Sequence, residues 1–380
     1  MKIRLLHVIN NLETGGAETM LLRLMEHIDR DRFEPVVVTL IDSGDLVKQF
    51  NELGIEVHAL GATPGRLSPA VLLRLSKVIR GIRPHIIQSW LYHSNLATFL
   101  ALALSRKRIP ICWNIRHSVD DIRNEPWLTR QVIRAGARFS RKASAVVFNS
   151  ARSLGQHEAL GFSAPRQTVI PNGFDLEDFK PVSNARQKLL ESLEISDSAF
   201  LVGLAGRLHP MKNHEGLAGV VSDLVAEGID VHLLFAGRGC EEDGSLGGLA
   251  ESAGLQGRLH LLGERRPLAP FLSSLDCLVV ASLWGEAFPN VLAEAMACAT
   301  PCVTTDVGDA GAIIDDSQRM CRPGDPEALK SVLRRVLLMA PEERASLAAS
   351  GRERISREYD VRSITRDYEQ LWTELFRASN

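Results

Sequence analysis

Cysteine is scarce in this chain: six residues of 380, at Cys112, Cys240, Cys277, Cys298, Cys302 and Cys321, with no C-x-x-C pair among them. That spacing argues against a zinc ribbon or a thioredoxin-type redox pair, and the mostly apolar surroundings predict buried thiols, not disulfides. No run of eighteen apolar residues occurs, so no membrane-spanning helix is expected. The first apolar stretch follows Met1 almost at once, so no secretory leader is expected either, and the two absences together predict a cytoplasmic protein. The G-x-G-x-x-G fingerprint is also missing, which withdraws support from nicotinamide or flavin binding. The one D-x-D string, Asp29-Arg30-Asp31, falls between a helix and a strand and reads as a polar turn. Internal repeats and low-complexity segments are absent.

What is present is an alternation of short apolar runs with helical patterns, which predicts parallel sheets wound with helices. At 380 residues with 45% hydrophobic content, the chain is long enough for two domains that each bury a full sheet. One series holds IRLLHVI, PVVVTL, IEVHAL, HIIQSW, PICWNI and AVVFNS. A second holds FLVGLAG, VHLLFAG, LHLLGE, CLVVAS and PCVTT, and helices follow from about Asp325. Between the series, Pro171, Asn172, Gly173 and Pro181 interrupt regular structure and mark a linker.

The densest chemistry lies in SLWGEAFPNVLAEAMACAT, Ser282 to Thr300. Between Ala287 and Thr305 the only charged side chain is Glu294. The run Asp276 to Ala281 reads as a buried parallel strand, and Pro289-Asn290 followed by alanines reads as a helix with proline in its first turn. Glu286 then stands in the loop at the strand's carboxyl end, the N–H groups of Asn290, Val291 and Leu292 open the helix, and Glu294 lies one turn on. Helix starts attract phosphate, and carboxylates accept paired hydrogen bonds from sugar diols, so a nucleotide sugar suits both. Upstream, LVGLAGRLHPMKN places Arg207 after an apolar strand and Lys212 five residues later, a rigid fork of donors and a mobile cation that together can neutralise a diphosphate. Near the amino terminus VINNLETGGAETM feeds a strand into a Gly15-Gly16 turn and a helix. In IPICWNIRHS a strand ends on Arg116-His117. His209 and His214, which flank Lys212, read as loop residues.

The string E-x7-E within GEAFPNVLAEAMA resembles the signature of the retaining family 4 glycosyltransferases, and the Arg207/Lys212 spacing, the Gly15-Gly16 turn and the strand-end His117 are similar to that family as well. The likeness is strongest over residues 200–310. It implies an α/β fold of GT-B architecture, with two facing Rossmann-like parallel-sheet lobes and a cleft between them. The first lobe, 1–172 with a final helix at 361–380 packing back on it, would bind acceptor; the second, 173–360, would bind donor. The resemblance implies a retaining transfer of a sugar from a nucleotide-diphosphate sugar, UDP by default, to an acceptor hydroxyl, with no cofactor and no divalent metal. It assigns catalytic roles to Glu286, His117, Arg207 and Lys212, and counts Gly15, Gly16, Phe288, Asn290, Val291, Leu292 and Glu294 with Arg207, Lys212 and Glu286 in the donor site. Glu286 would hold sugar hydroxyls, Glu294 the ribose, and His117 a hydroxyl of the donor sugar. Asn213 stands where the family often has glycine after the lysine. Glu18 either meets the acceptor or simply suits the helix dipole. A nucleotide-sugar epimerase of the same fold and a non-catalytic sugar-binding scaffold are the alternatives.

Charge is uneven. Residues 1–180 carry 24 Lys+Arg against 17 Asp+Glu and residues 181–380 carry 20 against 29, so the first lobe is the basic one. No acidic residue occurs from Val57 to Val119, and Arg130, Arg134, Arg138, Arg141 and Lys142 fall on or near one helical face. Such a stripe is an ordinary solvated face, or it steers the protein to anionic membrane or to a lipid-linked glycan acceptor. Nucleic acid is not expected, since no recognition motif accompanies it.

Overall fold

The computed structural model describes residues 2–42, 44–63, 67–105 and 108–379. The chain forms two compact units, Met1–Gly173 with Val361–Asn380, and Phe174–Asp360.

In the first unit the strands are β1 (Ile3–Ile9), β2 (Phe33–Thr39), β3 (Glu56–Ala59), β4 (Ile86–Trp90), β5 (Ile111–Ile115), β6 (Ala145–Phe148) and β7 (Gln167–Val169). They line up as β3-β2-β1-β4-β5-β6-β7, all parallel, with Leu5 of β1 opposite Ile86 of β4. Both faces of this sheet are covered by helices, which is why β4, β5 and β6 are buried at every position, the polar Gln88, Ser89 and Asn114 included. Part of the cover is the final helix, Val361–Ser379; Asn380 lies outside the described residues. Its Val361, Ile364, Tyr368, Leu371, Trp372 and Leu375 recur at helical spacing and are buried. Trp372 packs edge-on against Phe33 and His7 and donates from Nε1 to Gln88 Oε1 at 2.5 Å. Burial holds His7 neutral, its pKa lowered to about 3.

The second unit holds β8 (Phe200–Ala205), β9 (Val231–Ala236), β10 (Leu259–Leu261), β11 (Cys277–Val280), β12 (Cys302–Thr305) and β13 (Met320–Cys321), ordered β10-β9-β8-β11-β12-β13 and again parallel throughout. Helix Pro326–Leu337 shows how closely local sequence dictates an element. Asp325 caps it by accepting from the Ala328 N–H at 3.0 Å, Pro326 takes the first position, and Leu329, Leu333, Val336 and Leu337 bury one stripe. All six cysteines are buried and free.

Phe174 and Asp360, the two ends of this unit, form a parallel β-bridge, and the Phe174 N–H donates to the Tyr359 carbonyl at 2.9 Å. In both sheets the first strand lies beside the fourth, so chain order reverses between β1 and β4 and between β8 and β11. Ligands of doubly wound sheets bind outside the carboxyl ends of strands at that reversal.

Candidate functional site

In the second unit the reversal point is flanked by the segments leaving β8 and β11. After β8 the backbone passes through Gly206, whose N–H donates to Ala236 at 2.8 Å, and crowds Gly237 so closely that a Cβ there would lie 2.1 Å from the Gly206 carbonyl oxygen. Arg207 follows, exposed and without a carboxylate partner among the described residues. A 3-10 turn, Pro210–Lys212, is capped by His209, whose Nδ1 accepts from the Met211 N–H at 3.2 Å. The turn brings Lys212 back across Gly206, with Cε 3.3 Å from where a Cβ on that glycine would stand. Asn213 closes it at φ 60 and ψ 44, the left-handed conformation for which glycine is the usual residue and asparagine a tolerated one. The replacement of glycine therefore keeps the loop's shape.

His214 is not a loop residue. It opens helix His214–Ala226, is 3% exposed, meets Phe235 edge-on and lies 3.6 Å from the Cys240 sulfur, with burial and the nearby Lys212 lowering its pKa to about 4.

The loop leaving β11 interlocks with this turn. Leu283 donates its N–H to the Met211 carbonyl at 2.8 Å, and the Met211 methyl lies against Gly285, which has φ +78. Glu286 is thereby placed beside Lys212, its Oε1 2.5 Å from Nζ and 2.9 Å from the Ser282 hydroxyl that donates to it. Both members of the ion pair are largely buried, with side chains 18% and 11% exposed. Pro289 occupies the cap of helix Asn290–Ala297 and not its first turn, and the Leu292 N–H donates to the Pro289 carbonyl at 3.0 Å. Leu292 is thus spent within the helix start and does not open toward a ligand as the sequence predicts. Glu294, near the middle of the helix, is half-buried. The Phe288 side chain, expected among the ligand contacts, stacks on Phe174 and meets Tyr359 edge-on, so it belongs to the core.

The remaining expected residues lie in the first unit. Gly15 caps helix Gly16–His27 and accepts from the Thr19 N–H at 2.9 Å. The Glu18 carboxylate folds over Gly15, where a Cβ would come within 2.4 Å of Oε2, and burial raises its pKa to about 7. His117 follows β5 and pairs through Nε2 with Glu125 Oε1 at 2.7 Å, an interaction that holds Glu125 below the usual carboxylate range. The His117 carbonyl accepts from the Ser153 hydroxyl at 2.7 Å. Arg116 turns inward to Asn114, Tyr368 and Asn172 and lies over Trp90. Its role is structural.

The structure therefore brings together Lys212 and Glu286, and adds Ser282 and Glu125, which the sequence reading passed over. Ser282 had a signal, since it is the first polar residue after an apolar strand and stands four positions before Glu286. Glu125 had none, because its contact with His117 depends on the course of an irregular loop.

Two successive doubly wound parallel sheets are the two lobes of the GT-B architecture, and the ion pair lies at the reversal point of the second. The fold matches that of Anabaena HepE, solved with UDP and with UDP-glucose, at a TM-score of 0.84 and 22% identity, covering 98% of this chain and 100% of that one. A model described as Glycosyltransferase Family 4 matches residues 14–178, and one described as Glycosyl transferases group 1 matches residues 199–338. The chain belongs to glycosyltransferase family 4. It is 26% identical over 318 residues to the Bacillus subtilis protein EpsF, 80% of this chain and 79% of the relative. It is 28% identical over 149 residues to the Escherichia coli UDP-Gal:alpha-D-GlcNAc-diphosphoundecaprenol alpha-1,3-galactosyltransferase, a match that spans 39% of this chain and 38% of that enzyme.

Proposed function

We propose that this protein transfers a hexosyl unit from a UDP-sugar to an acceptor hydroxyl with retention of anomeric configuration. The observation that carries the reading is the Lys212–Glu286 pair at the carboxyl ends of β8 and β11. Arg207 and Lys212 neutralise the diphosphate as it leaves, and fixed cations in a partly dry site stabilise charge that grows in the transition state. Glu286 receives the sugar hydroxyls, Glu294 the ribose, and the backbone at Asn290 and Val291 the phosphate. As the bond from anomeric carbon to phosphate oxygen breaks, the acceptor oxygen bonds to the same face and passes its proton to the departing phosphate. The protein supplies the countercharge, and no divalent ion enters the scheme. HepE in complex with UDP-glucose supports the choice of donor.

The acceptor is assigned to the first unit, with the Gly15-Gly16 turn as its ligand-facing group, in the assembly of surface polysaccharide or lipid-linked oligosaccharide at the cytoplasmic face of a membrane. The Escherichia coli relative, whose name specifies a diphosphoundecaprenol-linked acceptor, supports this setting. No helix among the described residues is long and apolar enough to cross a membrane. Peripheral contact is drawn instead from helix Trp127–Ser140. Residues 127–142 hold five cations and no acid, none of the five pairs with a carboxylate among the described residues, and Trp127 and Leu128 are 64% and 51% exposed. An aromatic anchor beside unneutralised arginines suits an anionic bilayer. Sedimentation with phosphatidylglycerol vesicles tests it: Arg134→Glu with Arg138→Glu is expected to abolish binding, and equal binding to neutral vesicles contradicts the assignment.

The test of the activity is calorimetry with UDP, GDP and ADP in the presence of chelator, followed by turnover of UDP-sugars with and without glycan acceptors. Selective, chelator-resistant UDP binding and acceptor-dependent release of UDP are expected. Epimerised donor formed without acceptor points to the epimerase alternative, and no nucleotide binding to the scaffold.

A further inference from the structure

We infer that Ser282, held by Thr305, is a positioning residue that decides which oxygen of Glu286 is offered to the sugar; the inference rests on the glycosyltransferase reading above. Oε1 of Glu286 takes both available donors, Lys212 Nζ at 2.5 Å and the Ser282 hydroxyl at 2.9 Å. A carboxylate oxygen has two acceptor directions, so Oε1 is filled, while Oε2 has no partner among the described residues. The sugar-facing acceptor is therefore Oε2.

Lys212 cannot set this orientation alone. An ammonium on a flexible stem attracts the carboxylate as a point charge, whereas a hydroxyl with a single proton to give imposes a direction. Ser282 is 1% exposed, and its own backbone is fixed. The Thr305 hydroxyl, equally buried, donates to the Ser282 carbonyl at 2.6 Å and reaches the Val280 carbonyl at 3.3 Å, tying the end of β11 to the end of β12. The loop after β12 supports the same carboxylate from its backbone side. Gly308, at φ +53, passes so close that a Cβ would stand 2.3 Å from the Glu286 carbonyl oxygen, and Asp309 donates its N–H to Ala287 at 2.9 Å. The Ser282 contact and the main chain of Glu286 are thus both steadied from β12 and the loop that follows it, which make no use of the nucleotide end of the site.

Removing the Ser282 hydroxyl should leave the carboxylate charged and paired with Lys212 yet free to rotate, so the nucleotide is still bound while the sugar is not oriented. Wild type, Ser282→Ala, the near-isosteric Thr305→Val and Glu286→Ala are compared by calorimetry with UDP and with UDP-glucose, UDP-galactose and UDP-N-acetylglucosamine, each protein's folding being checked by its melting curve. Ser282→Ala is expected to bind UDP within about twofold of wild type but to bind the preferred UDP-sugar about tenfold more weakly, the worth of one hydrogen bond to a charged group. Thr305→Val is expected to shift in the same direction by less. Equal weakening of UDP and UDP-sugar, or no change in either, overturns the positioning role while Glu286→Ala still selectively loses the sugar contribution. If Glu286→Ala binds UDP-sugars as wild type does, the underlying reading fails, and this inference fails with it.

Discussion

Lys212 and Glu286 lie 74 positions apart in the chain, yet the Lys212 ammonium stands 2.5 Å from the Glu286 carboxylate. Each arrives from the carboxyl end of a different strand, and the two strands are neighbours only because the chain order of the second sheet reverses between them.

Breaking this pair from either side leaves a largely buried charge with too few partners. Lys212→Met and Glu286→Gln are each expected to lower stability by about 1–3 kcal/mol, and the double replacement by less than the sum. Urea denaturation of the four proteins measures the coupling, and strictly additive losses would show that there is none.

Arg207 is the opposite case, exposed and without a carboxylate partner among the described residues. Arg207→Ala is expected to change stability by no more than about 0.5 kcal/mol while weakening UDP binding by about tenfold or more. Unchanged UDP affinity in calorimetry removes Arg207 from the phosphate site.

Asn213 holds φ 60 at the end of the turn that carries Lys212. Alanine there places a Cβ in a left-handed conformation at a cost of about 1 kcal/mol, whereas glycine is expected to match wild type within about 0.5 kcal/mol. Melting temperatures of the two variants decide the point, and an alanine variant as stable as the glycine one would contradict the assigned backbone.

Burial raises the Glu18 carboxyl from 4.5 to about 7. The folded chain therefore holds this proton more tightly than the unfolded chain does, so the cost of burying the group is absent below pH 4.5, grows as the pH rises and is complete above pH 7. Glu18→Gln, which carries no titrating group, should gain on wild type across that window, by roughly 3 kcal/mol at pH 8. Denaturation midpoints at pH 5, 6, 7 and 8 test it, and a pH-independent gap between the two proteins contradicts it.

The strands were legible wherever burial on both faces forces a continuous apolar run, as in PVVV of β2 or CLVV of β11. Gln167–Val169 and Met320–Cys321 were not, because edge strands of three and two residues carry too few side chains to show a pattern. At the candidate site, Lys212 and Glu286, which the structure pairs, could be picked out by residue type and spacing. That Lys212 and Glu286 meet, that Leu292 spends its N–H on Pro289, and that Phe288 joins the core all depend on how two loops fold against each other, which short-range sequence pattern does not encode. His214 was misread for a related reason: an N-terminal helix position beside a cationic loop looks polar, and only the packing of Phe235 and Cys240 around it shows that it is core.

The bridge between Phe174 and Asp360 bears on how the chain reaches this structure. It closes the second unit into a loop whose two ends are neighbours, and that loop interrupts the first unit after Gly173. During synthesis the second unit is therefore complete once Asp360 has emerged, while the first, begun earlier, must wait for the nineteen residues of helix Val361–Ser379 to cover its sheet. Until then the surfaces of Phe33 and Gln88 that receive Trp372 stand open, so the part of the protein made first is the part finished last.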